Sequence, residues 1–214
     1  MSGCAVRTVN DGALSAHAPG AADAPLTEVA WSEERYAGGL LKRAGWLVCG
    51  KAHGLWRAWD GYGRLASEES FDHGLLHGEC RFFHLTERLQ WEQKHARPTK
   101  AASSGASPAG PIRSIRRYRN NLLDGDYKEY SSKGTLTLST QYDKGLESGT
   151  HIEWYSDGTL KAVYQVRQGA RHGSCIHWHK NGSVSIIADY GHGRPIDPVR
   201  FFNEDGTLLW QSDK

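Results

Sequence analysis

Long apolar runs are missing from this chain: no stretch approaches 18 apolar residues, so no transmembrane helix is expected. Cysteine pairing is missing too. Cys4, Cys49, Cys80 and Cys175 stand far apart and form no CxxC pair, which points away from a zinc finger or a disulfide framework and leaves free thiols suited to a reducing cytoplasm. Neither sign of charge dominates. With 26 basic and 24 acidic residues the formal net charge is +2, which argues against a strongly basic nucleic-acid binder and equally against an acidic mimic of DNA. Apolar residues make up 38% of the chain and mean hydropathy is −0.60, values that suit a thin, extended fold better than two packed layers. Catalytic signatures are lacking as well. There is no GxSxG, no P-loop and no HExxH, and Gly61-Tyr62-Gly63 lacks the strand-to-helix setting of a nucleotide site. Glu153, Asp157 and the other carboxylates are scattered by the repeat instead of paired, so neither an enzymatic activity nor a cofactor is expected.

What the chain does have is glycine at a fixed spacing. Gly134, Gly158, Gly182 and Gly206 fall 24 residues apart; so do Gly125, Gly149 and Gly173, and so do Gly145, Gly169 and Gly193. Three interleaved series with one period mean a repeated supersecondary unit. One unit is GTHIEWYSDGTLKAVYQV (149–166), and the next opens at Gly173. Each contains Asp-Gly or Asn-Gly (Asp157-Gly158, Asn181-Gly182, Asp205-Gly206) between alternating runs, the short-range mark of a β-hairpin with a type I′ turn. The connector Gly-x-x-x-Gly reads as a second turn, with Gly145, Gly149, Gly169 and Gly173 in left-handed or closely approached backbone. Asn121 stands where Gly145 stands one unit later and is the best non-glycine substitute there.

Side chains alternate accordingly. Leu160, Ala162, Tyr164 and Val166 share one strand face, as do Leu136, Leu138 and Tyr142, and Val184, Ile186, Ala188 and Tyr190. The fifth residue after each opening glycine is aromatic: Trp59, Phe83, Tyr130, Trp154 and Trp178, with Phe202 in the matching place of the last unit, where Asp197 replaces the glycine. These form an expected aromatic ladder. A buried Trp is worth a gross gain of about 4–6 kcal/mol, enough to hold one marginal hairpin to the next. The predicted fold is all-β: an elongated array of antiparallel hairpins forming a single curved sheet.

The organisation follows from where the spacing fails. Residues 1–26, rich in Ala and Gly, lack the basic and apolar regions of a signal peptide and read as a disordered leader. The repeat domain spans 27–210, with a degenerate first unit around Trp31, Tyr36 and Leu40, and 211–214 form a tail. The run KHARPTKAASSGASPAGP makes a mobile loop at about 97–111, and strand pairing resumes at Ile112–Tyr118. The last connector, Gly193 to Asp197, carries a proline and suggests a capping unit.

The pattern YDKGLESGTHIEWYSDGTL (142–160), repeated in VRQGARHGSCIHWHKNGSV (166–184), FDHGLLHGECRFF (71–83) and YRNNLLDGDYKEY (118–130), resembles the MORN-variant repeat. The array is similar to the bacterial YwqK-like family, commonly labelled antitoxins; the resemblance covers about 46–96 and 112–210. It implies a protein-binding or inhibitor role, with a toxin or effector as partner. A membrane- or lipid-associated scaffold of MORN type is the alternative, carried by the basic run Arg113, Arg116, Arg117 and Arg119. Nucleic acid is a weaker third reading of the same arginines. Oligomeric state is left open.

Candidate partner-facing residues are the aromatics off the ladder, Trp56, Phe82, Tyr127, Tyr155 and Phe201, with His177, His179 and the four arginines. The plainer reading of the arginines is a solvated edge that guards an interrupted sheet. Eleven histidines invite a metal reading, above all His177 and His179 with His151 one unit earlier, but no Cys or carboxylate completes that set. His53, His77 and His172 precede the opening glycines and read as connector residues. No metal is expected.

Overall fold

In a computed structural model of the protein, residues 5–8, 26–85 and 109–213 are described. Among them there is no helix. Before the interruption lie β1 (Ala5–Thr8), β2 (Leu26–Arg35), β3 (Leu41–Val48), β4 (Lys51–Trp59), β5 (Leu65–Asp72), β6 (Leu75–Leu76) and β7 (Gly78–Phe83). After it come β8 (Ile112–Arg119), β9 (Leu122–Tyr130), β10 (Leu136–Asp143), β11 (Leu146–Glu147), β12 (Gly149–Trp154), β13 (Leu160–Arg167), β14 (Ala170–Trp178), β15 (Val184–Gly191), β16 (Arg194–Pro195), β17 (Arg200–Phe202) and β18 (Leu208–Gln211). They form one 18-stranded sheet, the expected all-β hairpin array. From β2 onward the chain folds back and forth, each strand antiparallel to its neighbour; β6, β11 and β16 lie on the same partners as β7, β12 and β17. In the leader, where no strand was expected, β1 pairs parallel with the start of β2, and the remainder of 1–25 lies outside the described residues. Gln211, placed in the tail, belongs to β18, and Ser212 donates to the Val199 carbonyl at 2.9 Å.

The turns depart from expectation in an instructive way. At Tyr155–Gly158 the Gly158 N–H donates to the Tyr155 carbonyl at 2.9 Å, and the Tyr155 N–H to Thr159 at 2.8 Å. The same pair of bonds recurs at Tyr36, Asp60, Ser131, His179 and Asn203. Gly158 has φ +91°, whereas Asp157 does not enter the positive region. This is a three-residue hairpin loop, a type I turn closed by a glycine bulge, and not the type I′ turn read from Asp-Gly. The aspartate serves another purpose: its carboxylate accepts the N–H two residues on, at 3.0 Å from Thr159. Asn181 and Asp205 do the same for Ser183 and Thr207. The type I′ turns lie at the opposite edge, where two successive residues have positive φ: Cys49-Gly50, His73-Gly74, Asn120-Asn121, Lys144-Gly145, Gln168-Gly169 and His192-Gly193.

Consecutive turns are stitched together along both edges. On the type I′ edge the second turn residue donates its N–H back to the preceding unit: Gly74 to Ala52 and Gly145 to Leu123, both at 2.7 Å, then Gly169 to Glu147 at 2.8 Å and Gly193 to Arg171 at 2.9 Å. Asn121 does so with Leu76 and also accepts the Leu76 N–H on its side-chain oxygen, at 2.7 Å. On the other edge the stitch is a side chain. Tyr36 donates to the Trp59 carbonyl at 3.0 Å and Tyr155 to that of Trp178 at 2.9 Å; a ring nitrogen of His179 meets the Phe202 carbonyl at 2.8 Å.

A further irregularity keeps the register. Trp154 pairs with Leu160 but Glu153 with Ala162, leaving Lys161 without a partner of its own. The same slip falls at Lys42, Ala66, Arg113, Thr137, Ser185 and Leu209. It survives the interruption: Phe83 pairs with Ile112, and the His84 N–H donates to Pro111 at 2.8 Å just as the first residue of an ordinary turn does to its fifth. The insert therefore replaces one turn tip, and most of the 97–111 loop lies outside the described residues.

The continuous core is small-sided. Ala162, Tyr164, Val166, Cys175 and Ala188 pack with Tyr190 and Val199. Burial pushes the Cys80 and Cys175 thiols up, which suits them as apolar filler. Of the ladder, Phe83 is buried and Trp59, Tyr130, Trp154, Trp178 and Phe202 are half-buried. Among the described residues no two ladder rings are in ring contact. Each instead opposes an aliphatic side chain across its own hairpin, as Trp154 opposes Leu160 and Trp178 opposes Val184.

Candidate binding face

Residues paired directly across strands share a face. Register therefore carries one row from β3 to β18: Arg43, Ala58, Ser67, Phe82, Ser114, Glu129, Leu138, Glu153, Ala162, His177, Ile186, Phe201 and Trp210. Beside it, in segments, runs a second row with Trp56 and Glu69, then Cys80, Arg116, Tyr127 and Thr140, then His151, Tyr164, Cys175 and Ala188. Both rows lie on the face that holds the Ala162–Tyr164 core.

Three arginines on this face are each held between two aromatic rings. The Arg43 guanidinium lies 4.8 Å from the Trp56 ring centre and 5.1 Å from Phe71, and pairs with Glu69 at 3.3 Å. Arg116 lies 4.7 Å from Phe82 and 5.2 Å from Tyr127; its Nε is buried without a hydrogen-bond partner, as is the Ser114 hydroxyl. Arg171 lies 4.5 Å from Tyr164 and 5.6 Å from Tyr190. Stacking of this kind fixes a long side chain in place, and Arg43 already meets a carboxylate, that of Glu69.

Between the second and third arginines sits a polar stack. His151 lies flat on Tyr164, ring centres 4.3 Å apart, and its nitrogens meet Glu147 at 2.5 Å and Glu153 at 3.3 Å. Burial alone would raise the Glu153 carboxyl, but the hydrogen bond and charge of Lys161, with His151, hold it below its ordinary range. His177 stacks on the far side of Tyr164 at 6.3 Å, and burial, then the Arg171 charge, lowers its pKa. Desolvation and the hydrogen bond to Glu129 push the Tyr127 hydroxyl up to about 12, so it remains a donor.

Of the residues picked out in the sequence, Phe82, Tyr127, His177 and Phe201 all fall on this face. Trp56 also falls there but does not project to a partner: it is 7% exposed, donates to the Trp46 carbonyl at 2.9 Å, and lies so close to Gly45 that a Cβ there would stand 2.3 Å from its ring. Tyr155 and His179 are spent as edge clasps. The arginine run does not form one patch. Arg116 belongs to the stacked face and Arg113, at a register slip, lies 5.9 Å from Phe82, whereas Arg117 alternates to the opposite face near Glu79 and Arg119 pairs with Asp124 at 3.4 Å. Sequence reasoning missed Arg43 and Arg171, although Arg171 lies within the connector between Gly169 and Gly173. No protein-family model matches the chain, and no curated protein matches it in sequence.

Proposed function

We propose that the chain is a non-catalytic protein-interaction module whose stacked face covers a partner, the partner being a toxin or effector that it inhibits by steric occlusion. The observation that carries this reading is the set of three ring-held arginines, Arg43, Arg116 and Arg171, spread along one open face. Arginine and aromatic side chains dominate the energetics of protein interfaces, and an arginine already immobilised by stacking loses less entropy when it meets a carboxylate. The resemblance to MORN-variant and YwqK-like repeats supports the same class, since inhibitor partners are known by that label. A membrane scaffold rests on a one-sided basic patch, and the division of the arginine run between two faces weakens that support.

The test is a pull-down from the native host with three baits: wild type, Arg43→Ala/Arg116→Ala/Arg171→Ala, and Arg117→Ala/Arg119→Ala. A single partner retained by wild type and by the opposite-face variant, and lost from the stacked-face variant, is the expected result. Equal retention by all three, or sedimentation with anionic liposomes in place of protein capture, overturns it.

A further inference from the structure

The histidines suspected from sequence do not converge on a metal geometry, but three other residues do. At the type I′ edge, His53 at the start of β4 meets Asp72 at the end of β5 and His73 in the turn after it, and one ligand atom from each lies within 4.8 Å of the others. Both Nδ1 atoms approach the same carboxylate oxygen: Asp72 Oδ1 is 2.5 Å from His73 and 3.4 Å from His53. The two imidazoles stand edge to face, 5.1 Å between centres. His53 Nδ1 is out of solvent and has no hydrogen-bond partner, because the 3.4 Å approach falls outside bonding geometry. Ligand atoms around a tetrahedral zinc ion stand about 3.3 Å apart, given bond lengths near 2.0 Å. The His53–Asp72 separation already matches. His73 is exposed and needs only to swing outward.

We propose that His53, Asp72 and His73 form a binding site for a divalent transition ion of the zinc class. Two imidazoles and one carboxylate suit zinc, cobalt or nickel rather than calcium or magnesium, which require oxygen ligands. The ion would tie two consecutive type I′ turns together beside the Gly74–Ala52 stitch, and so act as a clip between repeats. The repeat supplies its own control. His172 and His192 occupy the same two positions near the other end of the array, their rings also edge to face, 6.1 Å apart. There Gly191 stands in the place of Asp72, so the third ligand is missing.

The test uses the full-length chain without an affinity tag. Titration with zinc chloride by calorimetry is expected to give one saturable site per chain. Affinity should fall about tenfold or more in each of His53→Ala, Asp72→Asn and His73→Asn, and remain unchanged in His172→Ala and Cys49→Ser. Cobalt(II) bound to wild type should give ligand-field bands without thiolate charge transfer, a readout that needs no variant to fold. Absence of saturable binding, undiminished affinity in Asp72→Asn, or a thiolate band abolished by Cys49→Ser overturns the proposal.

Discussion

At one edge of the sheet the chain reverses through Tyr36–Gly39, Ser131–Gly134, Tyr155–Gly158 and their equivalents; at the other it reverses through pairs such as Lys144-Gly145 and Gln168-Gly169. The first edge concentrates its positive φ on one glycine, and where it has an Asp or Asn, as at Asp157, Asn181 and Asp205, that side chain is consumed in bonding the loop's own backbone. Its side chains also supply the inter-unit clasps, so they have work within the fold. The second edge holds its units together through backbone N–H groups, joined by a side chain at Asn121, and leaves the first turn position free in chemistry though strained in conformation. Cys49, His73, Asn120, Lys144, Gln168 and His192 all sit there with φ near +50°. Non-glycine residues in that region cost of order 1–3 kcal/mol. The comparison teaches where this array can vary: the edge whose stitching is mainly backbone is the one that carries the His53–Asp72–His73 corner.

Proline separates the edges most sharply. Gln168 holds φ +49°, a value the pyrrolidine ring cannot reach, so Gln168→Pro should cost well over 1 kcal/mol and melt its hairpin. Ser156, the second residue of a type I turn, has the conformation proline prefers, and Ser156→Pro should be neutral or stabilising by about 0.4–1 kcal/mol. Urea denaturation of the two variants decides the matter. Equal losses in both would mean that the Asp157-Gly158 turn is type I′ after all.

How much of this was legible in the sequence follows from the same two edges. The glycine series fixed the hairpins, their period and the face shared by Ala162, Tyr164 and Val166, because backbone conformation and pleat alternation depend on residue type locally. The type at the Asp-Gly and Asn-Gly loops was misread because those pairs serve both turns, and the connector's type was not read at all. What distinguishes them is whether the Asp or Asn itself has positive φ, and the Thr or Ser two residues later, whose N–H the Asp or Asn side-chain oxygen accepts, was the available clue. The candidate binding face was only half legible. Phe82, Tyr127, His177 and Phe201 were visible as off-ladder side chains, but the recurring register slips and the irregular pairing around Gly45 decide where Trp56 and the arginines point. No local rule reads those. The proposed metal corner was hidden because His53 and Asp72 lie on neighbouring strands and His73 in the turn between repeats, where histidine looks like filler.

The clasps give the intermediate effect. Tyr155→Phe keeps the ring and removes only the bond to the Trp178 carbonyl, so a loss of about 1 kcal/mol is expected, measured as a lower urea midpoint with unchanged slope. No loss would reduce the side-chain edge to packing alone.

The smallest effect tests strain on the other edge. Asn tolerates left-handed backbone better than Gln, as Asn120 and Asn121 already do at φ +50° and +67°. Gln168→Asn should therefore raise stability by about 0.5 kcal/mol without touching the Gly169–Glu147 stitch, which is made by backbone. Slowed amide exchange at Gly169 in this variant is the expected signature, since local opening of a stitched turn becomes rarer when its closed form is less strained. A variant that gains nothing would mean that Gln168 is held there by its neighbours at no cost, and the strained edge would be no more permissive than the clasped one.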